Sequence, residues 1–272
     1  MFKKFEKLSS VVVYALLALI VSFSQLFAAT EISIGMQQEP TSLDPTSDAT
    51  ASIDGMLSHN VYESLTTVNE SGEVLPALAT DWQVSADGLE YTFKLRQNVN
   101  FHDGTSFDSE DVLFSFKRAM AEDSVNPTKK IFKPIEEVSA PDSHSVIIKL
   151  KKKDAFFLFN MAKGDASIVA QESSSSNNES PIGTGPFIFK DWKRGDRLVL
   201  VKNANWHDAQ SVSLEKIEFR FISDAAAATA AMMAEELDAF PGFPAPELLE
   251  QFEADPRFKV TIGSTEGEVI LA

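Results

Sequence analysis

The chain of 272 residues contains no cysteine. This absence excludes disulfide bonds and catalysis by a thiolate. It also excludes a lipid anchor attached to a cysteine after an export signal. We therefore expect a protein that is not a lipoprotein and that is held together without covalent cross-links.

Basic side chains are scarce. Lysine and arginine number 24 against 40 aspartate and glutamate residues, which gives a net charge of −16. A strongly acidic surface repels nucleic acid and anionic membrane faces. The densest basic run, Lys149 with residues 151–153, follows a strand-like segment and is interpreted as a solvated strand end. We expect no nucleic-acid partner.

The motifs of common catalytic, nucleotide and metal sites are also missing. The chain has no Gly-Lys-Ser/Thr, no G-x-S-x-G and no H-E-x-x-H. Its four histidines lie far apart in the sequence. Acidic pairs such as Asp103 with Asp108 are interpreted as turn and cap residues. We predict no catalytic residue, no cofactor and no metal site.

The long hydrophobic run lies at the N-terminus. Residues 11–21 are apolar, Lys3, Lys4 and Lys7 precede them, and Ala28 and Ala29 follow. This three-part pattern is typical of a cleavable signal peptide, predicted here as residues 1–29. The run is shorter than the roughly 20 residues that span a bilayer, although a membrane anchor is the alternative. Export to the periplasm is predicted, with outright secretion as the other outcome.

The remaining sequence interleaves strand and helix patterns and predicts a mixed α/β protein. Strands are expected at residues 31–36, 146–150, 198–201 and 258–262. Helices are expected from 53 to 65, after Asp108, from Asp224 through Leu237 and from Pro246 to Phe252. Residues 85–88 are predicted as a hairpin turn and 172–180 as a polar loop. Because the chain ends at Glu268-Val-Ile-Leu-Ala272, inside an apolar, strand-like run, the product is expected to be cut short.

The stretch Ser180 to Lys190, SPIGTGPFIFK, is the most glycine-rich turn. A dinucleotide loop needs a third glycine where Ile188 stands, and Pro186 lacks a backbone donor. Residues 187–189 resemble the start of a strand. We predict a sharp structural turn and no phosphate site, so that valine at Gly183 or Gly185 damages folding or closure.

Seven ordered motifs resemble the family 5 extracellular solute-binding proteins, the dipeptide, oligopeptide and nickel receptors of ABC importers. The motifs include EPTSLDP (39–45), VYESL (61–65), FHDGTSF (101–107), PIGTGPFIF (181–189), NANWHD (203–208) and AAMMAEELDAF (230–240). The resemblance implies an α/β, periplasmic binding protein-like two-lobed fold (type II, cluster C-like). It implies a discontinuous lobe I at 30–59 and 168–272, an inserted smaller domain II at 60–167, and a third domain that is largely missing.

The resemblance implies a monomeric, non-enzymatic receptor that captures a small peptide by hinge closure and delivers it to the permease subunits in the inner membrane. The alternatives are a nickel or metal-chelate receptor, a fragment that binds nothing, and, from another class, an exported acidic hydrolase. The family's peptide-clamping residues would lie in the missing jaw. The candidate ligand-binding residues that remain are Glu39, Pro40 and Thr41 after the first strand, and Asp165, Ala166 and Ser167 near the return to lobe I.

Overall fold

The computed structural model describes residues 30–48 and 50–263. The predicted signal peptide and the strand-like segment that ends at Ala272 lie outside these residues. Within them, no helix is both long and apolar enough to cross a membrane.

The first sheet contains the strands β1 (Glu31–Met36), β8 (Phe187–Lys193), β9 (Arg197–Lys202) and β10 (Lys216–Phe221). Their order across the sheet is β1-β10-β9-β8. β1 is parallel to β10, whereas the other pairs are antiparallel. The sheet therefore joins the beginning of the chain to its second half, and the strands predicted at 31–36, 187–189 and 198–201 are confirmed.

The second sheet is wholly antiparallel and contains β4 (Ala79–Val84), β5 (Glu90–Leu95), β6 (Ile135–Asp142) and β7 (Ser145–Leu150) in the order β4-β5-β7-β6. The predicted hairpin turn joins β4 to β5, where Gly88 has φ 69°. Glycine reaches such positive φ values at little cost.

A short ribbon of β2 (Thr66–Val68) and β3 (Val74–Pro76) precedes the second sheet. The helices are α1 (Ala51–Leu57), α2 (Ser109–Met120), α3 (Phe157–Asn160), α4 (Ala225–Met233) and α5 (Leu249–Glu253). Short 3₁₀ turns occur at Lys129–Phe132, Gly164–Ala166 and Pro246–Leu248.

The α2 helix forms as its local sequence predicts. The Asp108 carboxylate accepts a hydrogen bond from the Glu110 amide at 2.8 Å, and the Asp111 carboxylate accepts one from the Asp108 amide at 2.9 Å. This reciprocal arrangement is a capping box, which satisfies amides that a helix N-terminus leaves free. The buried stripe faces the second sheet, and the Phe116 ring meets Phe132 edge-on at 5.6 Å.

Two helix predictions were too long. The helix predicted at 53–65 ends at Leu57, because His59 has a left-handed φ of 62° and the amides of Val61 and Tyr62 both turn back to the Leu57 carbonyl. The helix predicted through Leu237 ends at Met233, because Glu235 has φ 57° and the Glu236 amide returns to the Ala231 carbonyl.

The strand predicted at 258–262 is wrong. This segment pairs with no strand in the described part of the chain, and the Phe258 amide closes a turn on the Asp255 carbonyl at 3.0 Å. Phe258 packs instead, since its ring contacts Phe252 edge-on with the ring centres 5.0 Å apart, whereas Ile262 is 80% exposed.

Each sheet has its own hydrophobic core. Most of the second-sheet core falls inside the predicted domain II. However, the fully buried Tyr62, which the prediction places in domain II, packs in the core of the first sheet, and Ile168, placed in lobe I, packs in the core of the second. The predicted boundaries at 59/60 and 167/168 therefore stay a prediction.

Candidate functional site

The carboxyl end of β1 is one edge at which loops converge. β10 runs parallel to β1 on one side, and Ala239 forms a parallel bridge with Ile34 on the other. Three chain segments thus leave this edge in the same direction, at residues 37–41, 222–224 and 240–244. In open α/β sheets, ligands bind in the crevice outside the carboxyl ends of parallel strands. This edge is the first candidate site.

Glu39 lies at this edge, but its carboxylate is engaged inside the protein. Oε1 accepts a hydrogen bond from Trp192 Nε1 at 3.0 Å, and Oε2 accepts one from the Gly195 amide, also at 3.0 Å. The side chain therefore holds the loop after β1 against the β8–β9 hairpin. Its role in the described structure is to position the loop.

Arg194 reinforces this attachment. Its guanidinium lies 3.4 Å from the centre of the Trp192 ring, and Nη1 donates to the Thr41 carbonyl at 3.4 Å. Thr41 itself is exposed, and its hydroxyl donates to the Asp48 carboxylate. The hydrogen bonds from Thr41 and Thr50 lower the pKa of Asp48.

Pro40 is buried between these anchored neighbours, whereas Gln37 and Gln38 are exposed. The two glutamine side chains make no hydrogen bond to any other residue in the described ranges. They are the free polar groups of this loop, and they were not among the predicted ligand-binding residues. Their position directly after β1, a strand with alternating apolar and polar residues, was the sequence feature that could have indicated them.

Phe240 also lies at this edge and was not among the predicted ligand-binding residues. Its ring lies against the backbone of Gly35, so that a side chain at position 35 would overlap it. The absence of a Cβ at Gly35 therefore lets an aromatic ring pack against β1 near its carboxyl end. Phe240 also meets Phe243 edge-on at 5.4 Å, which places an apolar wall beside the polar loop.

Asp165, Ala166 and Ser167 lie elsewhere, in the lining of a cavity of about 210 Å³. Thr46 and Arg118 also line this cavity, whereas Glu39, Pro40 and Thr41 do not. The structure thus places the predicted residues 165–167 together in one cavity lining, and the predicted residues 39–41 lie outside that lining.

An ion pair borders this cavity. Arg118 Nη2 donates to Asp44 Oδ2 at 3.0 Å, and Nη1 donates to the Thr46 hydroxyl at 2.6 Å. Thr46 in turn donates its hydroxyl to Asp44 Oδ1 at 2.6 Å. The Asp44 side chain is only 2% exposed, so the pair links α2 to the loop before α1 from inside.

The predicted residues give the cavity a polar lining. Ser167 is buried, and its hydroxyl has no hydrogen-bond partner among the described residues. Burial raises the pKa of Asp165, and the nearby Asp54 carboxylate acts in the same direction. The Asp165 carbonyl accepts a hydrogen bond from Asn126 Nδ2 at 2.8 Å.

The turn at 183–186 is structural, as predicted. The Gly185 amide donates to the Val61 carbonyl at 2.9 Å, and the Gly185 carbonyl accepts from Asn203 Nδ2 at 3.0 Å. A Cβ at Gly183 would overlap the Val61 carbonyl, and a Cβ at Gly185 would overlap the Asn60 carbonyl. Both glycines are required by close backbone approach, since neither has a positive φ.

Three histidines that are distant in sequence lie near the buried Glu63. His207 Nε2 is 3.3 Å from Glu63 Oε1. Burial lowers the pKa of His59 and of His102, and the negative charge of Glu63 opposes that shift in both. Within 30–48 and 50–263, no three His, Asp or Glu side chains are arranged to hold a metal ion.

The fold is that of an α/β protein with an open sheet whose loops converge at the carboxyl edge of parallel strands, the place where ligands bind in open α/β sheets. Residues 73–271 match the family model of the bacterial extracellular solute-binding proteins, family 5 Middle, and the chain belongs to this family. The predicted family is thereby confirmed.

Similar proteins extend the comparison. The chain is 30% identical to the oligopeptide-binding protein AppA of Bacillus subtilis, over 77% of this chain and 40% of that protein. It is 28% identical to di/tripeptide-binding protein 1 of Pseudomonas aeruginosa, over 89% of this chain and 50% of that protein. The chain therefore spans about half the length of these relatives, or less.

The fold resembles the periplasmic binding protein DppA of Helicobacter pylori, solved with the peptide STSA. The TM-score is 0.74 at 28% identity, over 83% of this chain and 49% of that chain. This similarity confirms the predicted α/β, periplasmic binding protein-like fold class.

Proposed function

We propose that this chain is part of a periplasmic solute-binding receptor that serves an ABC importer and takes di- or oligopeptides. Family membership supports a binding role, and relatives named for oligopeptide and di/tripeptide binding support the ligand class. The observation that carries the proposal is the loop edge at the carboxyl end of β1, where exposed polar groups stand beside an aromatic wall.

The first part of the proposal concerns how the loop after β1 meets its ligand. An extended peptide can pair with exposed backbone, as an added strand does. The contacts of Glu39 with Trp192 and Gly195 hold the loop in place before ligand arrives. Such preorganisation reduces the entropy lost on binding. In this proposal Gln37 and Gln38 supply side-chain hydrogen bonds, while Pro40 and Thr41 shape the backbone.

The second part concerns delivery. The receptor closes on its solute by hinge motion against an opposing lobe and then docks on permease subunits in the inner membrane. We propose that it acts as an exported monomer in the periplasm. Asp165, Ala166 and Ser167 remain proposed ligand contacts through the cavity that they line.

The test is a ligand screen on the 272-residue chain. Thermal unfolding is followed with a panel of di-, tri- and tetrapeptides, with free amino acids and with nickel–histidine chelates. A ligand present at about 100 times its Kd stabilises the native state by about 2.7 kcal/mol. We expect peptides to raise the unfolding temperature and the other solutes to leave it unchanged. Isothermal titration then gives the peptide Kd.

A matched pair of variants tests the location. Gln37→Ala combined with Gln38→Ala is expected to weaken peptide binding, whereas alanine at Gln83, an exposed glutamine on β4, is expected to leave it unchanged. Stabilisation by nickel chelates but by no peptide would refute the ligand class. Peptide binding that survives the double substitution would refute the location.

A further inference from the structure

The short helix α3 exposes aromatic side chains to solvent. Phe156 is 69% exposed and Phe159 is 39% exposed. Phe156, Phe159 and Asn160 have the spacing i, i+3, i+4, which places them on one side of this helical turn, and Lys163, which lies beyond the end of α3, lines the same open groove. The Asn160 amide donates to the Phe156 carbonyl at 2.8 Å, so the helical path includes Phe156. The result is an outward apolar face with a lysine beside it.

The fold fixes this face outward. Phe157, on the opposite side of α3, is fully buried, and its ring centre lies 4.6 Å from that of Tyr91. The Thr66 hydroxyl donates to the Leu158 carbonyl at 2.9 Å. Because these contacts hold α3 against the second sheet, Phe156 and Phe159 cannot both turn inward without unpacking Phe157.

Two lysines lie beside these aromatic rings. Lys130 and Lys163 line an open groove together with Phe156 and Phe159, and Lys163 Nζ lies 5.9 Å from the centre of the Phe159 ring. We call these four residues the Phe156 patch. The acidic residue in the groove lining is Asp154, whose carboxylate accepts a hydrogen bond from the Phe156 amide at 2.9 Å.

Two further basic segments adjoin the patch. Residues 129–133 contain three lysines, and residues 151–153 are all lysine. The Lys151 amide donates to the Pro134 carbonyl at 2.8 Å, and Lys151 Nζ donates to the Lys133 carbonyl at 3.2 Å, which keeps the two segments side by side. In a protein with net charge −16, seven lysines thus lie in or next to the segments that form this groove, and two of them, Lys130 and Lys163, line it.

We propose that the Phe156 patch binds the surface of an anionic phospholipid bilayer. Lysines near such a surface are attracted to its headgroups, while exposed aromatic rings bury apolar area at the boundary of headgroups and acyl chains. A bilayer surface can receive both features, because its headgroups carry the negative charge and the layer beneath them is apolar. A protein partner would need an acidic rim around a shaped apolar pocket, so the structure favours lipid. The sequence alone suggested the opposite, because the overall charge is acidic and the lysine segments are separate.

The experiment measures co-sedimentation of the chain with vesicles of phosphatidylcholine, alone or mixed with about one-third phosphatidylglycerol. Binding to the anionic vesicles is expected. It should fall as salt rises from about 0.1 M to about 1 M, because the Debye length shortens from about 10 Å to about 3 Å. All variants carry the same residues 1–29, so the readout is the ratio of each variant to the parent chain.

Two pairs of variants test the two components of the patch. Lys130→Gln with Lys163→Gln is expected to reduce binding about 25-fold, at about fivefold per lysine. Phe156→Ser with Phe159→Ser is expected to reduce it at least about tenfold. The controls are Lys190→Gln on β8 and Val84→Ser on β4, both exposed and outside the patch, which should leave binding within about twofold of the parent.

Thermal unfolding of each variant establishes whether it is folded. If a double variant is unfolded, the single variant Phe156→Ser or Lys130→Gln is measured in its place. Unchanged binding in either patch pair would overturn the proposal. Equal binding of the parent chain to vesicles with and without phosphatidylglycerol would also overturn it, since the lysines would then contribute nothing to binding.

Discussion

The ion pair between Arg118 and Asp44 gives the sharpest stability prediction. Asp44 is 2% exposed, and Arg118 and Thr46 are its side-chain hydrogen-bond donors in α2 and the loop before α1. Arg118→Met keeps most of the apolar stem but leaves a buried carboxylate without a cation. Breaking a buried pair from one side costs about 3–5 kcal/mol. Because Arg118 is 30% exposed, we expect the lower end, about 3 kcal/mol.

The assay is urea unfolding at equilibrium. With a slope near the upper end of about 1–3 kcal/mol per molar urea, the midpoint should fall by about 1 M. The double variant Arg118→Met/Asp44→Asn removes the stranded charge and should be more stable than the single variant by at least about 1 kcal/mol. The matched control, Lys149→Met, breaks an exposed pair with Glu137 and should cost no more than about 1 kcal/mol. A double variant no more stable than Arg118→Met would refute the reasoning.

Two further predictions concern a turn and a titrating group. Gly185→Val should destabilise the chain by about 3 kcal/mol or more, because the new Cβ overlaps the Asn60 carbonyl. The comparison variant is Gly55→Ala in α1, where the nearest atom to the new Cβ is Met36 Cε at 3.9 Å. It should stabilise the chain by up to about 1 kcal/mol in the same unfolding assay. Equal effects of the two substitutions would contradict the steric argument. Burial raises the pKa of Asp111 from 3.8 to about 6, so the native state binds more protons than the unfolded state between these values. The ionised Asp111 carboxylate should therefore lower the free energy of unfolding above pH 6, and this destabilisation should disappear as the pH falls to about 4. Asp111→Asn should remove this pH dependence of stability. An NMR titration of the Asp111 carboxyl group with its midpoint near 4 would contradict the prediction.

Part of the candidate site could be predicted from the sequence, and part could not. The resemblance placed ligand contacts after the first strand, and the structure brings that loop to the edge where β1, β10 and the segment at Ala239 end together. The sequence did not reveal that the Glu39 carboxylate accepts hydrogen bonds from Trp192 and Gly195, more than 150 positions away. No periodicity or local motif encodes a contact at that separation.

The helices show the same division. α2 could be predicted because its capping box and buried stripe are local, within a dozen residues. The helix at residue 51 was predicted too long because Val61 and Leu65 continue its apolar spacing. In the structure these two residues pack into different cores, Val61 under the first sheet and Leu65 under the second, after the chain has left the helix at His59.

The sequence by itself determined the α/β class, the family, the capped helix and the structural role of the turn at Gly183 and Gly185. These features depend on the order of residues and on chemistry between near neighbours. Only the tertiary structure decided which distant groups meet: Arg118 with Asp44, His207 with Glu63, and Lys130 with the groove that Phe156 and Phe159 line. The physical reason is that burial and charge act between atoms that are close in space, and strand pairing between remote segments sets that closeness.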